Sequence, residues 1–187
     1  MNWWIEEYKK YHAELETNYP GNNLKPQLLH VKDLVIDTKS KTLLDYGCGK
    51  GLQYTKWKHH EELGIDIPAL YDPAVPQYKD LPDGPFDGVI STDVLEHIPE
   101  GSLPTIIEEI FSYSGKYVFC TAAIKKAGKI LPNGKNAHAT VQPKEWWKKL
   151  FEKYDNYTLD FTEKDPKKTM KYLRAKEAKG GHNYNDN

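Results

Sequence analysis

Asp93, Glu96 and His97 stand at positions i, i+3 and i+4, a spacing that on a helix gathers three side chains on one face. His138 follows the next strand-like segment and is placed to approach that face. Two carboxylates and two imidazoles make a donor set for a divalent cation, Mg2+ or similar. Used without a metal, His97 and His138 titrate near neutral pH and are the candidates for a base that takes a proton from an acceptor. A plainer arrangement has Asp93 capping the helix, Glu96 solvated or paired, and His97 packed beneath a pocket.

A second feature lies upstream, in Leu43-Leu44-Asp45-Tyr46-Gly47-Cys48-Gly49-Lys50-Gly51. Glycines alternate directly after a strand pattern and before a helix pattern, so the backbone can bend sharply and a ligand can lie against it without meeting side-chain carbons. The dinucleotide fingerprint requires a glycine three positions after Gly49, where this chain has Leu52. A phosphate loop requires Lys and then Ser or Thr after its last glycine, and Gly51 is followed by Leu52 and Gln53. Both phosphate cradles are disfavoured, which leaves a different ligand or an ordinary strand-to-helix turn.

The elements that must position these residues alternate along the chain. Trp4, Tyr8, Tyr11 and Leu15 form an aromatic stripe at helical spacing over residues 3–17, and a second helical pattern runs from Leu24 to Val35. Strands are expected at 42–46, 69–72, 86–92 and 117–122, with helices at 52–60, 93–98, 103–113 and 143–154. A closing strand pair is expected at 157–161 and 169–173. Alternating strands and helices predict an α/β fold, a doubly wound, mostly parallel sheet with helices on both faces and an antiparallel C-terminal strand pair.

The chain has 187 residues, enough for one core, and is expected to form a single domain over 1–187, with residues 1–40 as an N-terminal helical lid and a frayed tail at about 176–187. Its formal net charge is −1, from 26 basic and 27 acidic residues, and Arg174 is the lone arginine, so composition gives little support for nucleic acid binding. The Lys-rich stretch 164–179 fits a solvated edge strand guarded by lysine better than a phosphate track. Two cysteines, Cys48 and Cys120, suit a reducing compartment, and neither a secretory leader nor an apolar span is visible; the expectation is a cytoplasmic protein with no membrane contact.

The run Leu44-Asp45-Tyr46-Gly47-Cys48-Gly49-Lys50-Gly51 resembles the first motif of the class I S-adenosylmethionine-dependent methyltransferases. The run Leu81 to Ile98 resembles the strand-four region of the same Rossmann-like family, and with Ala137-His138 and Trp146-Trp147 the likeness covers Thr42 to Phe151, closest in kind to small bacterial and phage enzymes. The resemblance implies S-adenosyl-L-methionine as cofactor, held by Asp45, Gly47, Gly49 and Gly51. It further implies an acidic residue for the ribose, either Asp66 or Asp72; Asp72 follows the cleaner strand and is favoured. Asp80 and Leu81 are the expected adenine contacts, and Thr92 and Asp93 face the reacting centre. The stretch from Asp72 to Phe86 is too short for the helix and strand usual there. The acceptor implied is a small molecule with an oxygen or nitrogen nucleophile. The set Asp93, Glu96, His97 and His138 is similar to that of metal-dependent RNA 3′-terminal and ubiquinone-pathway O-methyltransferases, with Asp where those place Glu. Metal-assisted 2′-O-methylation of an RNA end and a non-catalytic cofactor-binding module are the alternatives.

Overall fold

Among the described residues, β1 (Leu43–Tyr46), β2 (Ala69–Tyr71), β3 (Phe86–Thr92) and β4 (Ser114–Thr121) form one sheet in the order β2-β1-β3-β4, every adjacent pair parallel. The computed structural model describes residues 3–14 and 19–153; the expected antiparallel pair at 157–161 and 169–173 and the Lys-rich stretch lie outside them. The chain passes from β1 outward to β2, then back across β1 to β3. Strand order therefore reverses between β1 and β3, and a crevice opens at the carboxyl ends of the strands there.

Successive side chains alternate between two buried faces. Leu44, Tyr46, Val89, Val118 and Cys120 join a core with α1 (Trp3–Glu14), α5 (Leu103–Ser112) and α6 (Lys144–Phe151). Leu43, Ile90, Tyr117 and Phe119 join a second core with α2 (Leu28–Asp37), α3 (Leu52–Thr55) and α4 (His59–Leu63). Cover on both faces is why all four residues of β1 are buried, where a half-exposed strand would alternate with solvent. On α5, Leu103, Ile107 and Ile110 are fully buried, each contributing roughly 1.5–3 kcal/mol. That stripe fixes the helix's rotation and leaves Thr105, Ile106 and Glu109 along a cavity. Trp147 is buried in the α1/α5/α6 core and Trp146 packs at its margin, and neither lines that cavity.

Two expected helices differ. The segment 52–60 is broken into α3 and α4 because Lys58 takes a left-handed φ of 54°. The segment 93–98 holds a single 3-10 turn, Leu95–His97: Asp93 has φ 55°, and Ile98 is extended ahead of Pro99, as a residue before proline tends to be. Between β2 and β3 the chain makes one 3-10 turn, Pro76–Tyr78, and no further helix or strand.

Candidate active site

A cavity of about 460 Å³ opens at the carboxyl ends of β1, β2 and β3, a size suited to a small-molecule or cofactor site. Its floor is the glycine loop. Gly47, Cys48 and Gly49 line it, and the loop is anchored by the amides of Gly47 and Cys48, which donate to the Tyr71 carbonyl at 2.7 and 3.1 Å. Gly51, also expected at the ligand, instead starts α3 with φ 65° and lies outside the lining.

The N-terminal segment crosses this loop backbone to backbone. Lys50, Leu52 and Gln53 donate their amides to the carbonyls of Tyr19, Pro20 and Gly21 at 3.2, 2.9 and 2.8 Å. A helix start is ordinarily an anion site because its first N–H groups lack partners. Here the first two N–H groups of α3 are already engaged, a structural reason, independent of the glycine spacing, that a pyrophosphate has no cradle.

Of the two aspartates weighed for the ribose, Asp66 is exposed and away from the cavity, while Asp72 follows β2 directly and lines it. The Asp72 carboxylate accepts from the Gly49 amide (3.0 Å) and the Ala74 amide (2.9 Å). A carboxylate has about four lone-pair sites, so two remain for a ligand. Burial pushes Asp72 up to about 6, against the pull of those two amides. Asp80 is exposed and Leu81 packs at the edge of the core; neither lines the cavity, and the wall expected of them is made by Tyr71, Pro73 and Ala74.

Asp45 lies beneath the loop rather than at the ligand. It is buried and accepts from Gln53 Nε2 at 2.5 Å and the Tyr54 hydroxyl at 2.9 Å, and burial pushes it up to about 7. A carboxyl raised in the folded state gives up stability as pH climbs from the ordinary carboxyl range, near 4, through the folded value. Between pH 5 and 8 the melting temperature of the wild type is therefore expected to fall by on the order of 5 °C more than that of Asp45→Asn, which cannot ionise. Scanning fluorimetry at several pH values checks this; parallel curves would refute it.

At the other end, Thr92 and Asp93 line the cavity with Val94 and His97. Asp93 is turned by its positive φ and held by Thr121, whose hydroxyl accepts from the Asp93 amide at 2.9 Å and donates to Oδ1 at 3.0 Å. It is not helical, so the i, i+3, i+4 premise fails for it. One donor atom each from Glu96, His97 and His138 does lie within 4.8 Å of the others, and Asp93 is outside that group. Glu96 is buried, with Oε1 accepting from the Ala123 amide at 2.9 Å.

His97 Nδ1 lies 2.9 Å from the Ala137 carbonyl and 2.8 Å from the Tyr8 hydroxyl, which itself donates to that carbonyl. A carbonyl only accepts, so Nδ1 carries the hydrogen and the lone pair sits on Nε2. Burial lowers His97 to about 4, keeping the ring neutral at pH 7. His138 Nδ1 likewise donates to the Lys125 carbonyl at 2.5 Å; its ring meets His97 edge to face, 5.0 Å between centroids, behind the cavity wall rather than on it. Tyr8 and Tyr19, the latter with its ring 5.3 Å from His97, complete this end. The aromatic stripe signalled Tyr8 as buried, but its pairing with a residue 89 positions away follows no spacing rule.

A family model described as a methyltransferase domain matches residues 23–158. No curated protein matches significantly in sequence. In fold the chain is similar to 1,6-didemethyltoxoflavin-N1-methyltransferase of Burkholderia thailandensis, with TM-score 0.60, 14% identity, and 93% of this chain and 87% of that one covered. It is also similar to DhpI in complex with SAH (TM-score 0.57, 14% identity, 93% and 98% covered). The small RNA methyltransferase HEN1 shares the fold over 82% of this chain and 25% of its own length, with TM-score 0.59 and 14% identity. With the family match spanning most of the chain over this parallel sheet and glycine loop, the protein belongs to the class I S-adenosylmethionine-dependent methyltransferases.

Proposed function

We infer that the protein lays S-adenosylmethionine across Gly47, Gly49 and Asp72 and methylates an oxygen or nitrogen of a small-molecule acceptor held beneath α1. The observation that carries this is Asp72: a carboxylate in the cavity wall, fixed by two backbone amides, with acceptor capacity left for paired ribose hydroxyls. When bound, the cofactor supplies a methyl group already activated on a sulfonium. The chain's own task is alignment and exclusion of water, and orientation of reacting groups contributes on the order of 7–11 kcal/mol in intramolecular models. Of the expected 1–40 lid, Trp4, Ile5, Tyr8 and His12 of α1 and residues 19–23 line the cavity and serve as its cover, whereas α2 packs on the other face of the sheet. His97, neutral and presenting Nε2, takes the proton that the acceptor gives up; His138 steadies its ring. Cys48 and Cys120 are both free and buried, which favours a cytoplasmic setting, and no helix among the described residues is long and apolar enough to cross a membrane.

Calorimetric titration with S-adenosylhomocysteine tests the binding half, and no saturable binding would end the reading. Transfer of labelled methyl into metabolite and RNA pools, with and without chelator, tests the rest. Binding without transfer would leave a non-catalytic cofactor module. His97→Ala is expected to slow transfer by about 100- to 10,000-fold while leaving S-adenosylhomocysteine affinity within about twofold; loss of binding in that variant would move His97 out of the base role.

A second reading rests on Glu96, His97 and His138. Two imidazoles whose Nδ1 hydrogens are fixed on carbonyls, beside a buried carboxylate, fit a divalent cation that would polarise an acceptor hydroxyl. His97 is then a ligand instead of a base. HEN1, with the same fold, is a small RNA methyltransferase. Transfer to RNA that chelator abolishes would favour this reading, and chelator-insensitive transfer would exclude it.

A further inference from the structure

His12 and Lys129 have no part in the chemistry above, yet both line the cavity. Each of them meets Tyr19. The His12 ring lies 5.4 Å from the Tyr19 ring, and Lys129 Nζ stands over that ring, 4.4 Å from its centroid and 5.7 Å from that of Tyr11. A ring face attracts an ammonium and fixes where it stands, but leaves its charge unneutralised. Among the described residues Lys129 forms no ion pair, and His12 Nδ1 is buried without a hydrogen-bond partner. Burial, and after it the charges of Lys50 and Lys129, lowers His12 to about 4, so its ring is neutral at pH 7. Lys50 reaches it from outside the lining, its Nζ donating to the His12 carbonyl at 3.2 Å. The carboxylates of the lining are engaged with other partners: Asp72 with the amides of Gly49 and Ala74, Asp93 with Thr121, and Glu109 with the Tyr46 hydroxyl, which donates to Oε1 at 2.5 Å.

A buried nitrogen without a partner costs free energy until something supplies one. Water would satisfy His12 Nδ1 but leave the neighbouring ammonium charges unopposed; an oxyanion answers both, through charge-assisted hydrogen bonds. We propose that His12 and Lys129 form an anion site at the mouth of the cavity, and that the methyl acceptor is a small organic acid whose carboxylate or phosphate oxygens accept from His12 Nδ1 and Lys129 Nζ while its nucleophile faces His97 Nε2. The acceptor role rests on the S-adenosylmethionine reading above. The Tyr19 ring touches His97 as well as His12, at 5.3 Å between centroids, so the anion site and the base flank one aromatic surface. The rest of the cover, Trp4, Ile5 and Tyr8, is aromatic and apolar and suits an acid with an apolar body. Lysine serves such a site as a compact charge with three rotatable donors, which fits oxyanions of more than one shape.

The test is calorimetric titration of the full chain, saturated with S-adenosylhomocysteine, with 4-hydroxybenzoate, phenyl phosphate and the uncharged 4-hydroxybenzamide. The wild type is expected to bind at least one of the anions about 10- to 100-fold more tightly than the amide, and the tighter anion names the oxyanion as carboxylate or phosphate. Lys129→Gln and His12→Ala are each expected to remove most of that preference while leaving the amide within about twofold. Lys129 is exposed, so its variant carries the test even where His12→Ala fails to fold. A wild type that binds the amide as tightly as both anions, or binds neither anion, overturns the proposal, and so does a preference that survives in Lys129→Gln. A third comparison guards against the cofactor's own carboxylate as the occupant: the preference for S-adenosylhomocysteine over methylthioadenosine, which lacks that group, is expected to be the same in Lys129→Gln as in the wild type, and a loss of it there overturns the acceptor assignment. Failure of S-adenosylhomocysteine to bind the wild type would instead remove the cofactor reading, while the anion preference, measured without it, still judges the site.

Discussion

Asp72→Ala is expected to weaken S-adenosylhomocysteine binding by about 100-fold or more, because hydrogen bonds to a charged group are worth roughly 1.5–3 kcal/mol each and two are lost. Asp66→Ala, on an exposed residue away from the cavity, is expected to change nothing. The pH dependence carries a second signature. Burial raises Asp72 to about 6, so at pH 5 most of the empty protein holds it protonated. A protonated carboxyl has lost its charge and one acceptor. Wild-type affinity should therefore rise by roughly fivefold from pH 5 to 6, about tenfold in all, and level off above about 7. Asp72→Asn should bind weakly with no such rise. Calorimetry across pH 5 to 8 reads both effects, and an alanine variant that binds as tightly as the wild type would remove Asp72 from the site.

Gly21→Ala is expected to damage fold and site together. Gly21 has φ 70°, a region costly for residues with a Cβ. An added Cβ would collide with the Cys48 carbonyl oxygen and stand 2.7 Å from the Gly51 amide nitrogen, backbone atoms that cannot swing aside. The combined cost is about 3 kcal/mol or more, a drop in melting temperature of roughly 6–12 °C for a chain this size. Any folded fraction should have lost S-adenosylhomocysteine binding, because relief of the clash displaces Cys48 and Gly49. Gly64→Ala is the control: Gly64 also has positive φ (73°), but nothing lies within 4 Å of its added Cβ, so backbone strain alone should show there. Equal melting temperatures for the two variants would mean that residues 19–21 do not hold the loop.

How far these features could be read in advance depends on the range of the interaction. Strands β1 and β3 are legible because each carries a short apolar run, Leu43-Leu44 and Val89-Ile90, bounded by turn residues, and the glycine loop is legible because positive φ demands a particular residue type at particular places. The aspartate choice came from local logic as well, a strand end followed by proline. The break at Lys58 and the turn at Asp93 were not legible, since both put a left-handed φ on a residue that carries a side chain. Composition does not announce that. Asp93 adopts it because Thr121, 28 positions away, binds its amide and its carboxylate. Glu109, Tyr46 and the Tyr8–His97 pair were missed for the same reason: each is an ordinary core-facing residue until tertiary contact gives it a partner. Asp45 was misplaced because it sits beside the glycines in sequence while its side chain points to the opposite face of the sheet, toward Gln53 and Tyr54.

The carbonyls of Pro20 and Gly21 on the amides of Leu52 and Gln53 do more than fasten a strap. They occupy the amides that begin α3, so a negative group finds no free donors at that point of the crevice. The strap also arrives from the same stretch of chain that roofs the crevice. Guest affinity and the seating of α1 and residues 19–21 are therefore coupled, and whatever lifts the roof also loosens the floor.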